Sequence, residues 1–261
     1  MRGTAVGNLG SVATRRRRPG LPSRAPAPPV PPWPARLPGV PDLEGDAMLE
    51  PITWFRQSAL RWRDAERTVY IDPWGTPADA PPADMILITH AHQDHFQPEE
   101  IERLSTVSTK LVAPHDVARE LSGDVTPVAP GESHEVGGLH FTTVPAYNVV
   151  EHRLQSHPKE NRWVGYIVEL GGGTYYHAGD TDHAPELDAV KADVTFLPIG
   201  DGPFTMGAEE AAGLAKVIRP QVAVPMHYGF VVGSRTDGDR FRDLASPVRV
   251  ELLTPENPFE R

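Results

Sequence analysis

Apolar and polar positions alternate over short stretches from residue 48 onward, which predicts a fold rich in β-strands. Runs of β-branched and aromatic residues, each bounded by turn-forming residues, are typical of strands that bury one or both faces. Strand-like alternation begins at Ile52 and Trp54 and returns over residues 59–62. The pattern predicts further strands at residues 68–71, 85–89, 110–113, 139–144, 165–170, 174–177, 194–198 and 222–226.

Helical segments are fewer and follow turn signals. The pattern predicts helices at residues 99–104, 116–121 and 208–218. The last of these starts with Glu209 and Glu210, whose charges suit the positive end of a helix dipole. Strands come first and then alternate with helices, and residues 48–261 contain no Pro/Gly-rich linker long enough to separate two cores. We therefore predict a single α/β domain over residues 48–261.

Residues 1–47 differ in composition from the rest of the chain, with ten prolines and seven arginines but three acidic residues. Such a segment has too little apolar content to offset the entropy of ordering, so we predict a disordered tail. The run Arg15 to Arg18 fits a nucleic-acid or membrane-surface patch, but a solvated tail is the favoured interpretation. Strand-like sequence follows Met48 directly, so we hypothesise that the natural chain starts there and that the tail is a start-site artefact.

Composition and charge exclude several classes of function. The net charge of −10, together with the arginines in the tail, leaves an acidic body, which argues against a broad nucleic-acid surface. No apolar run approaches the roughly 18 residues of a membrane span, and no apolar stretch follows the N-terminal arginines. We therefore expect neither an anchor nor a signal peptide, and a cytoplasmic protein. The absence of cysteine excludes disulfides, thiolate zinc sites and cysteine nucleophiles.

The strongest chemical signal is a cluster of metal-capable side chains directly after the predicted strand 85–89. His90, His92, Asp94 and His95 fall within six residues. A loop that leaves a strand can project the first two to one side and turn the last two toward a neighbouring point, which suits two cations a few ångströms apart. A lone histidine is more often a hydrogen-bonded core residue, but packing needs no cluster this dense.

This His-x-His-x-Asp-His motif after a buried strand resembles the signature of the metallo-β-lactamase-fold hydrolases. The resemblance covers about residues 52–229 and includes, in order, YIDPW at 70–74, YHAGDT at 176–181, LPIG at 197–200, FTM at 204–206 and PMHYG at 225–229. It implies a four-layer αββα sandwich of the metallo-β-lactamase type. Within that family, the sequence looks most similar to the branch of small hydrolases that includes ascorbate-phosphate lactonase.

The resemblance also implies a ligand set for two divalent metal ions. By position, it assigns His90, His92 and a third residue to one metal, Asp94, His95 and His227 to the other, and Asp180 to the bridge between them. A carboxylate can join two cations and offset their repulsion. Imidazole and carboxylate ligands without sulfur accept Zn, Mn, Fe or Ni, and we expect zinc first and manganese second.

The third ligand of the first metal is where this chain departs from the family pattern. Many members have a histidine about 50 to 60 residues after the cluster, where this chain has Ala146, Tyr147 and Asn148. The alternatives remain open: His157 or His152 swings in, Asn148 binds through its amide oxygen, or that metal is weak or absent. We favour His157, because the polar loop that carries it is long enough to fold back over the site.

Other polar residues near these motifs have weaker signals. Asp72 is expected to orient a ligand or the loop that holds the histidines, although an aspartate before a proline is also ordinary turn chemistry. His177 and His183, on either side of Asp180, could face the substrate, donate a proton or satisfy a local hydrogen bond. No role is assigned to the histidines outside every motif, His115, His134 and His140.

These features predict a hydrolase in which metal-activated hydroxide attacks a small-molecule ester, lactone or phosphoester. Asp94 or Asp180 would accept a proton during the attack, and solvent or a nearby histidine such as His183 would donate one to the leaving group. One alternative is a phosphodiesterase or nuclease of the same fold, which the lack of a basic run outside the tail disfavours. Another is a metal-binding protein with degenerate catalysis. We expect no membrane partner, and a homo-oligomer is compatible with the sequence.

Overall fold

Two six-stranded β-sheets, each built from consecutive strands, form the centre of the computed structural model, which describes Met1 and residues 45–261. The first sheet contains β1 (Ile52–Trp54), β2 (Leu60–Arg63), β3 (Thr68–Ile71), β4 (Met85–Leu87), β5 (Lys110–Pro114) and β6 (Asp124–Val128). The second contains β7 (Ser133–Val136), β8 (Leu139–Pro145), β9 (Val164–Leu170), β10 (Gly173–His177), β11 (Val194–Pro198) and β12 (Val222–Met226).

Strand direction follows the same scheme in both sheets. Strands β1 to β3 pair antiparallel and β3 to β6 pair parallel. In the second sheet, β7 to β10 pair antiparallel and β10 to β12 pair parallel. The parallel part of each sheet therefore presents the carboxyl ends of neighbouring strands at one edge, where α/β proteins place their ligands.

Helices cover the outer faces of the two sheets. They are α1 (Gly45–Leu49), α2 (Pro98–Leu104), α3 (His115–Ala118), α4 (Ala208–Ile218) and α5 (Asp237–Ala245). Short 3₁₀ turns occur at Glu151–Arg153, Lys159–Asn161 and Pro185–Ala189. In the part of the chain described, no helix has the length and apolar character needed to cross a membrane.

Alternation along the strands divides the apolar side chains between two cores. In β3 and β4, Val69 and Leu87 point into a large core shared with the second sheet. Tyr70 and Ile86 point the other way, into a smaller core that contains Ile101 of α2. Buried residues of α4 belong to the large cluster. Helices thus flank two packed sheets, and the predicted αββα sandwich is confirmed.

Most predicted strands and the helix at 208–218 agree with the structure within one or two residues. The helix predicted at 116–121 was too long, since α3 ends at Ala118. The pattern did not predict β6 and β7, because these edge strands carry polar residues or proline and are only partly buried. The pattern also did not predict helix α5. Its one large buried side chain is Phe241, and a single apolar residue gives no helical periodicity.

The predicted tail lies, apart from Met1 and residues 45–47, outside the described residues. Met48 is part of α1 and is fully buried. The domain boundary at Met48 and the start-site hypothesis stay predictions.

Candidate metal centre

The predicted ligands lie on loops that leave the carboxyl ends of strands. Asp72 follows β3 directly, His90 lies in the loop after β4, and His227 follows β12 directly. Asp180 comes after β10, where Gly179 has a φ of 64°. That backbone conformation strongly favours glycine and allows the chain to turn sharply after the strand. Four separate strands therefore direct polar side chains to one place.

The first group of donor atoms comes from His90, His92, His157 and Asp180. One ligand atom from each lies within 4.8 Å of every other. His157 Nε2 lies 3.4 Å from His90 Nε2 and 3.5 Å from Asp180 Oδ2. The loop histidine favoured from the sequence thus reaches the cluster, whereas His152 is exposed.

The second group comes from Asp94, His95 and His227, again within 4.8 Å of one another. His227 Nε2 lies 3.4 Å from Asp94 Oδ2. Asp180 also approaches this group, with Oδ1 3.3 Å from His95 Nε2 and Oδ2 3.0 Å from His227 Nε2. The carboxylate of Asp180 therefore contacts both groups, which is the position that a bridging ligand needs.

Three buried atoms of the predicted ligands make no hydrogen bond of normal geometry: His95 Nε2, Asp180 Oδ1 and His227 Nδ1. The first two lie 3.3 Å apart as an ion pair. Buried polar groups in folded proteins are paired in the great majority of cases. Imidazole nitrogens and carboxylate oxygens converging without sulfur fit a borderline or hard divalent cation. The residues present therefore fit the metal centre that the sequence predicted.

Burial keeps part of the first group neutral. Loss of solvent lowers the pKa of His90 well below its usual value and lowers the pKa of His157 to about 4. For both histidines, burial outweighs the attraction of Asp180. A neutral imidazole has a free lone pair, which is the form that binds a metal.

The second group carries charge when no cation is bound. Burial lowers the pKa of His227, but the carboxylates of Asp180 and Asp94 raise it to about 9. The same carboxylates, with Asp72, raise the pKa of His95 well above its usual value despite burial. Burial raises the pKa of Asp180, but the charges of the two histidines hold it well below its usual range. A cation bound there would displace protons, as metal binding to histidine generally does.

Asp72 fixes the orientation of His95. Its Oδ2 accepts hydrogen bonds from His95 Nδ1 at 2.7 Å and from Thr89 Oγ1 at 2.6 Å, and its Oδ1 accepts one from Thr89 N at 2.7 Å. With Nδ1 protonated toward Asp72, the other ring nitrogen of His95 faces Asp94 and Asp180. The contacts of Asp72 match the orienting role expected from the sequence.

Asn148 shapes the loop that carries His157. Its side-chain Nδ2 donates to the carbonyl oxygens of Phe204 at 2.7 Å and Arg153 at 2.9 Å, and its backbone N donates to His157 O at 2.9 Å. His157 Nδ1 donates to the same Phe204 carbonyl at 3.0 Å, so Nε2 faces the cluster. Asn148 therefore helps to position His157.

Sequence reasoning missed Arg153, which anchors this loop. Its buried guanidinium donates to Asp182 Oδ1 and Glu210 Oε2, both at 2.7 Å, and to Asp201 Oδ1 at 2.9 Å. Asp182 Oδ2 also accepts hydrogen bonds from the backbone N of Val149 at 2.8 Å. The loop is thereby tied to the segment that carries Asp180. An arginine in a polar loop is normally exposed, so no sequence signal marked it.

The remaining predicted histidines lie apart from the two groups. His183 Nε2 pairs with Asp188 Oδ1 at 2.7 Å, and its role as a proton donor stays a prediction. His177 is buried, donates from Nε2 to Ser58 O at 2.9 Å and accepts from Gly179 N at Nδ1, which matches the interpretation as a local hydrogen bond.

Comparisons with known proteins agree with this geometry. Residues 51–227 match the family model described as a beta-lactamase superfamily domain. The chain is 33% identical over 230 residues to a UPF0173 metal-dependent hydrolase of Methanopyrus kandleri, covering 80% of this chain and 99% of the relative. A crystal structure of a candidate metal-dependent hydrolase from Parabacteroides distasonis superposes with a TM-score of 0.70 at 29% identity. The match covers 78% of this chain and 93% of that one. A metallo hydrolase of Ignicoccus hospitalis shares the fold, with a TM-score of 0.64 at 24% identity. The match covers 79% of this chain and 95% of that one.

Proposed function

Because this chain belongs to the beta-lactamase superfamily of metal-dependent hydrolases, we propose that it hydrolyses a small-molecule ester, lactone or phosphoester at two divalent cations. Its class as a metal-dependent hydrolase follows from its relatives. Their names specify no substrate and do not support the narrower assignment to the branch similar to ascorbate-phosphate lactonase. That assignment stays a prediction.

The observation that carries the proposal is the position of Asp180 between two groups of donor atoms. His90, His92, His157 and Asp180 would hold one cation, and Asp94, His95 and His227, with Asp180, would hold the other. Such a cation supplies Lewis acidity, which polarises a carbonyl or phosphoryl oxygen and lowers the pKa of water. Zinc is the first choice for these ligands and manganese the second.

The two carboxylates differ in access to a substrate. The side chain of Asp94 is 20% exposed and that of Asp180 is 2% exposed. Burial raises the pKa of Asp94, but the charges of His95 and His227 lower it below its usual range, so the group is ionised. Asp94 is therefore the better placed of the two to accept a proton from the attacking water. Asp180, enclosed by histidines, would hold the two groups together.

The leaving group also needs a proton. His183 is the candidate, since its ring is partly exposed and its Nε2 is held by Asp188 Oδ1 at 2.7 Å. The hydrogen bond to the carboxylate of Asp188 would fix the orientation of the ring. Solvent is the alternative donor.

The test uses the full chain stripped of metal by chelation and then returned to zinc or manganese. Three chromogenic or pH-detected substrates cover the chemistry: p-nitrophenyl acetate, an aliphatic γ-lactone and bis(p-nitrophenyl) phosphate. We expect metal-dependent turnover of at least one, loss of about 100-fold or more in Asp180→Ala, and no change in the control His134→Ala. Two bound cations without turnover of any of the three would contradict the proposal.

A further inference from the structure

Gln57 lies in the turn between β1 and β2 and is fully buried. Its backbone has a φ of 49°, a left-handed conformation that is uncommon outside glycine, asparagine and aspartate. Its carbonyl oxygen accepts hydrogen bonds from Trp54 Nε1 at 2.9 Å and from His227 N at 2.8 Å. This backbone contact fixes Gln57 beside a predicted ligand, although the two lie 170 positions apart.

The side chain of Gln57 ends among the donor atoms of the second group. Its amide nitrogen lies 3.1 Å from Asp94 Oδ2 and 3.0 Å from His227 Nε2. Its Oε1 is buried and accepts no hydrogen bond. An uncharged polar side chain is thus enclosed at the centre of the site, with one of its two polar atoms unpaired. Buried polar atoms are rarely left unpaired without a functional reason.

The distances fit a shared cation. Ligand atoms about 2.1 Å from one metal lie about 3.0 to 3.4 Å from their neighbours in octahedral or tetrahedral geometry. The two Gln57 distances fall in this range, as do those from His227 Nε2 to Asp180 Oδ2, 3.0 Å, and to Asp94 Oδ2, 3.4 Å. The amide oxygen and nitrogen exchange places when the terminal group turns by half a rotation. The same side chain can therefore offer its oxygen at this point.

We propose that Gln57 is a neutral oxygen ligand of the cation held by Asp94, His95 and His227. When no cation is bound, its amide nitrogen donates to Asp94 Oδ2 at 3.1 Å; when one is bound, the oxygen faces the cation. The inference rests on the second cation of the proposed function. With Gln57, the second cation would have three oxygen ligands, from Gln57, Asp94 and Asp180. The cation of the first group would have one, from Asp180.

This difference in ligands predicts different metal preferences for the two positions. Oxygen ligands suit harder cations such as Mn²⁺, whereas a site with three imidazoles suits Zn²⁺. In a mixture of the two metals, we expect zinc to fill the first group and manganese to compete best at the second. Gln57 would set this preference, since it is a ligand without charge that can be exchanged without disturbing the histidines.

The competing interpretation is that Gln57 only donates hydrogen bonds that position Asp94. Three variants separate the two roles. Gln57→Leu removes the amide at similar volume. Gln57→Asn shortens the side chain by one methylene and so withdraws the amide from the site. Asparagine tolerates the left-handed backbone, so this variant guards against a folding defect. Gln57→Glu keeps the length and an oxygen but cannot donate as a carboxylate. Gln221 provides a matched control, since its Nε2 donates to Asp193 Oδ1 at 3.1 Å on the exposed surface.

The experiment is a titration of the metal-free full chain with Co²⁺, followed by visible absorption, and with Mn²⁺, followed by equilibrium dialysis. A ligand role predicts that Gln57→Leu and Gln57→Asn bind the second equivalent at least 10-fold more weakly, with a changed cobalt spectrum and an unchanged first equivalent. Gln57→Glu should bind the second equivalent as tightly as wild type or more tightly. Gln221→Leu should match wild type throughout.

The proposal is overturned if Gln57→Glu weakens the second equivalent as much as Gln57→Leu does, which indicates a hydrogen-bond donor, or if all three variants bind like wild type. A wild type that takes up a single equivalent would overturn both this proposal and the dinuclear function. Two equivalents in wild type, weakened by the Gln57 changes but without turnover of any substrate, would reject the proposed function and leave the ligand assignment supported.

Discussion

The Nε2 atoms of His90 and His157 lie 3.4 Å apart, although 67 positions separate the two residues in the chain. The loop between β8 and β9 brings His157 to this point, and the loop after β4 brings His90. Asn148 holds this loop through hydrogen bonds to the carbonyl oxygens of Arg153 and Phe204, and His157 reaches the site.

His157→Ala should remove one of the two cations. The first group then keeps two histidines and a carboxylate that it shares with the other cation, so it binds a cation more weakly than with three imidazoles. We expect metal content to fall by about one equivalent and hydrolysis by about 100-fold or more, measured by elemental analysis and steady-state rates. His152→Ala, in the same loop but exposed, is the control. The assignment fails if the control loses metal and His157→Ala does not.

Asp72→Asn should weaken metal binding without removing a ligand. The charged acceptor that orients His95 Nδ1 is lost, and loss of such an orienting carboxylate typically costs about 10- to 100-fold in affinity. Competition with a chromophoric chelator measures the change. The control is Glu132→Gln, which alters a glutamate–histidine pair with His134 outside the site. Equal affinities in Asp72→Asn and wild type would show that His95 needs no such support.

Arg153→Met should destabilise the fold, since it leaves Asp182 buried with its charge unpaired. Removing one partner of a buried ion pair, here Arg153 with Asp182, costs about 3–5 kcal/mol of stability. The pair of Arg153 with the exposed Asp201 contributes little to this loss. Urea unfolding measures the free energy. The control Arg240→Met removes an exposed pair with Glu209 and should change stability by less than about 1 kcal/mol. A similar change in both variants would mean that the Arg153 network does not stabilise the loop.

Gly179→Ala tests the turn that presents Asp180. A β-carbon there would lie 3.1 Å from Thr89 Cβ and 3.2 Å from the Val164 carbonyl oxygen, at a φ of 64°. Gly202, at a φ of 67° with nothing within 4 Å, isolates the backbone effect. We expect Gly202→Ala to cost about 1–2 kcal/mol and Gly179→Ala to cost more and to weaken metal binding as Asp180 shifts. If Gly179→Ala and Gly202→Ala lose the same stability and metal affinity is unchanged, the added β-carbon at position 179 does not disturb Thr89 or Val164.

The sequence predicted the parts of this protein that depend on local pattern. Apolar strands such as 194–198 and 222–226 and the helix 208–218 agree with the structure because burial and periodicity are visible in a short window. The cluster around His90 was equally visible. Arg153 and Gln57 were not, because their roles come from partners far away in the chain, Glu210 and His227 among them. The sequence favoured His157 over His152, but both lie in the loop between β8 and β9, and the path of that loop decides which of them reaches the site.

In the proposed function, hydrolysis depends on two cations held between Asp180 and the histidines around it. The most direct test returns zinc to the metal-free chain in fractions of an equivalent and measures bound metal and turnover on the same samples. We expect no turnover without metal, two equivalents of zinc bound at saturation, and full turnover only as the second equivalent binds. Full turnover in the metal-free chain, or saturation at a single equivalent, would contradict the proposed function.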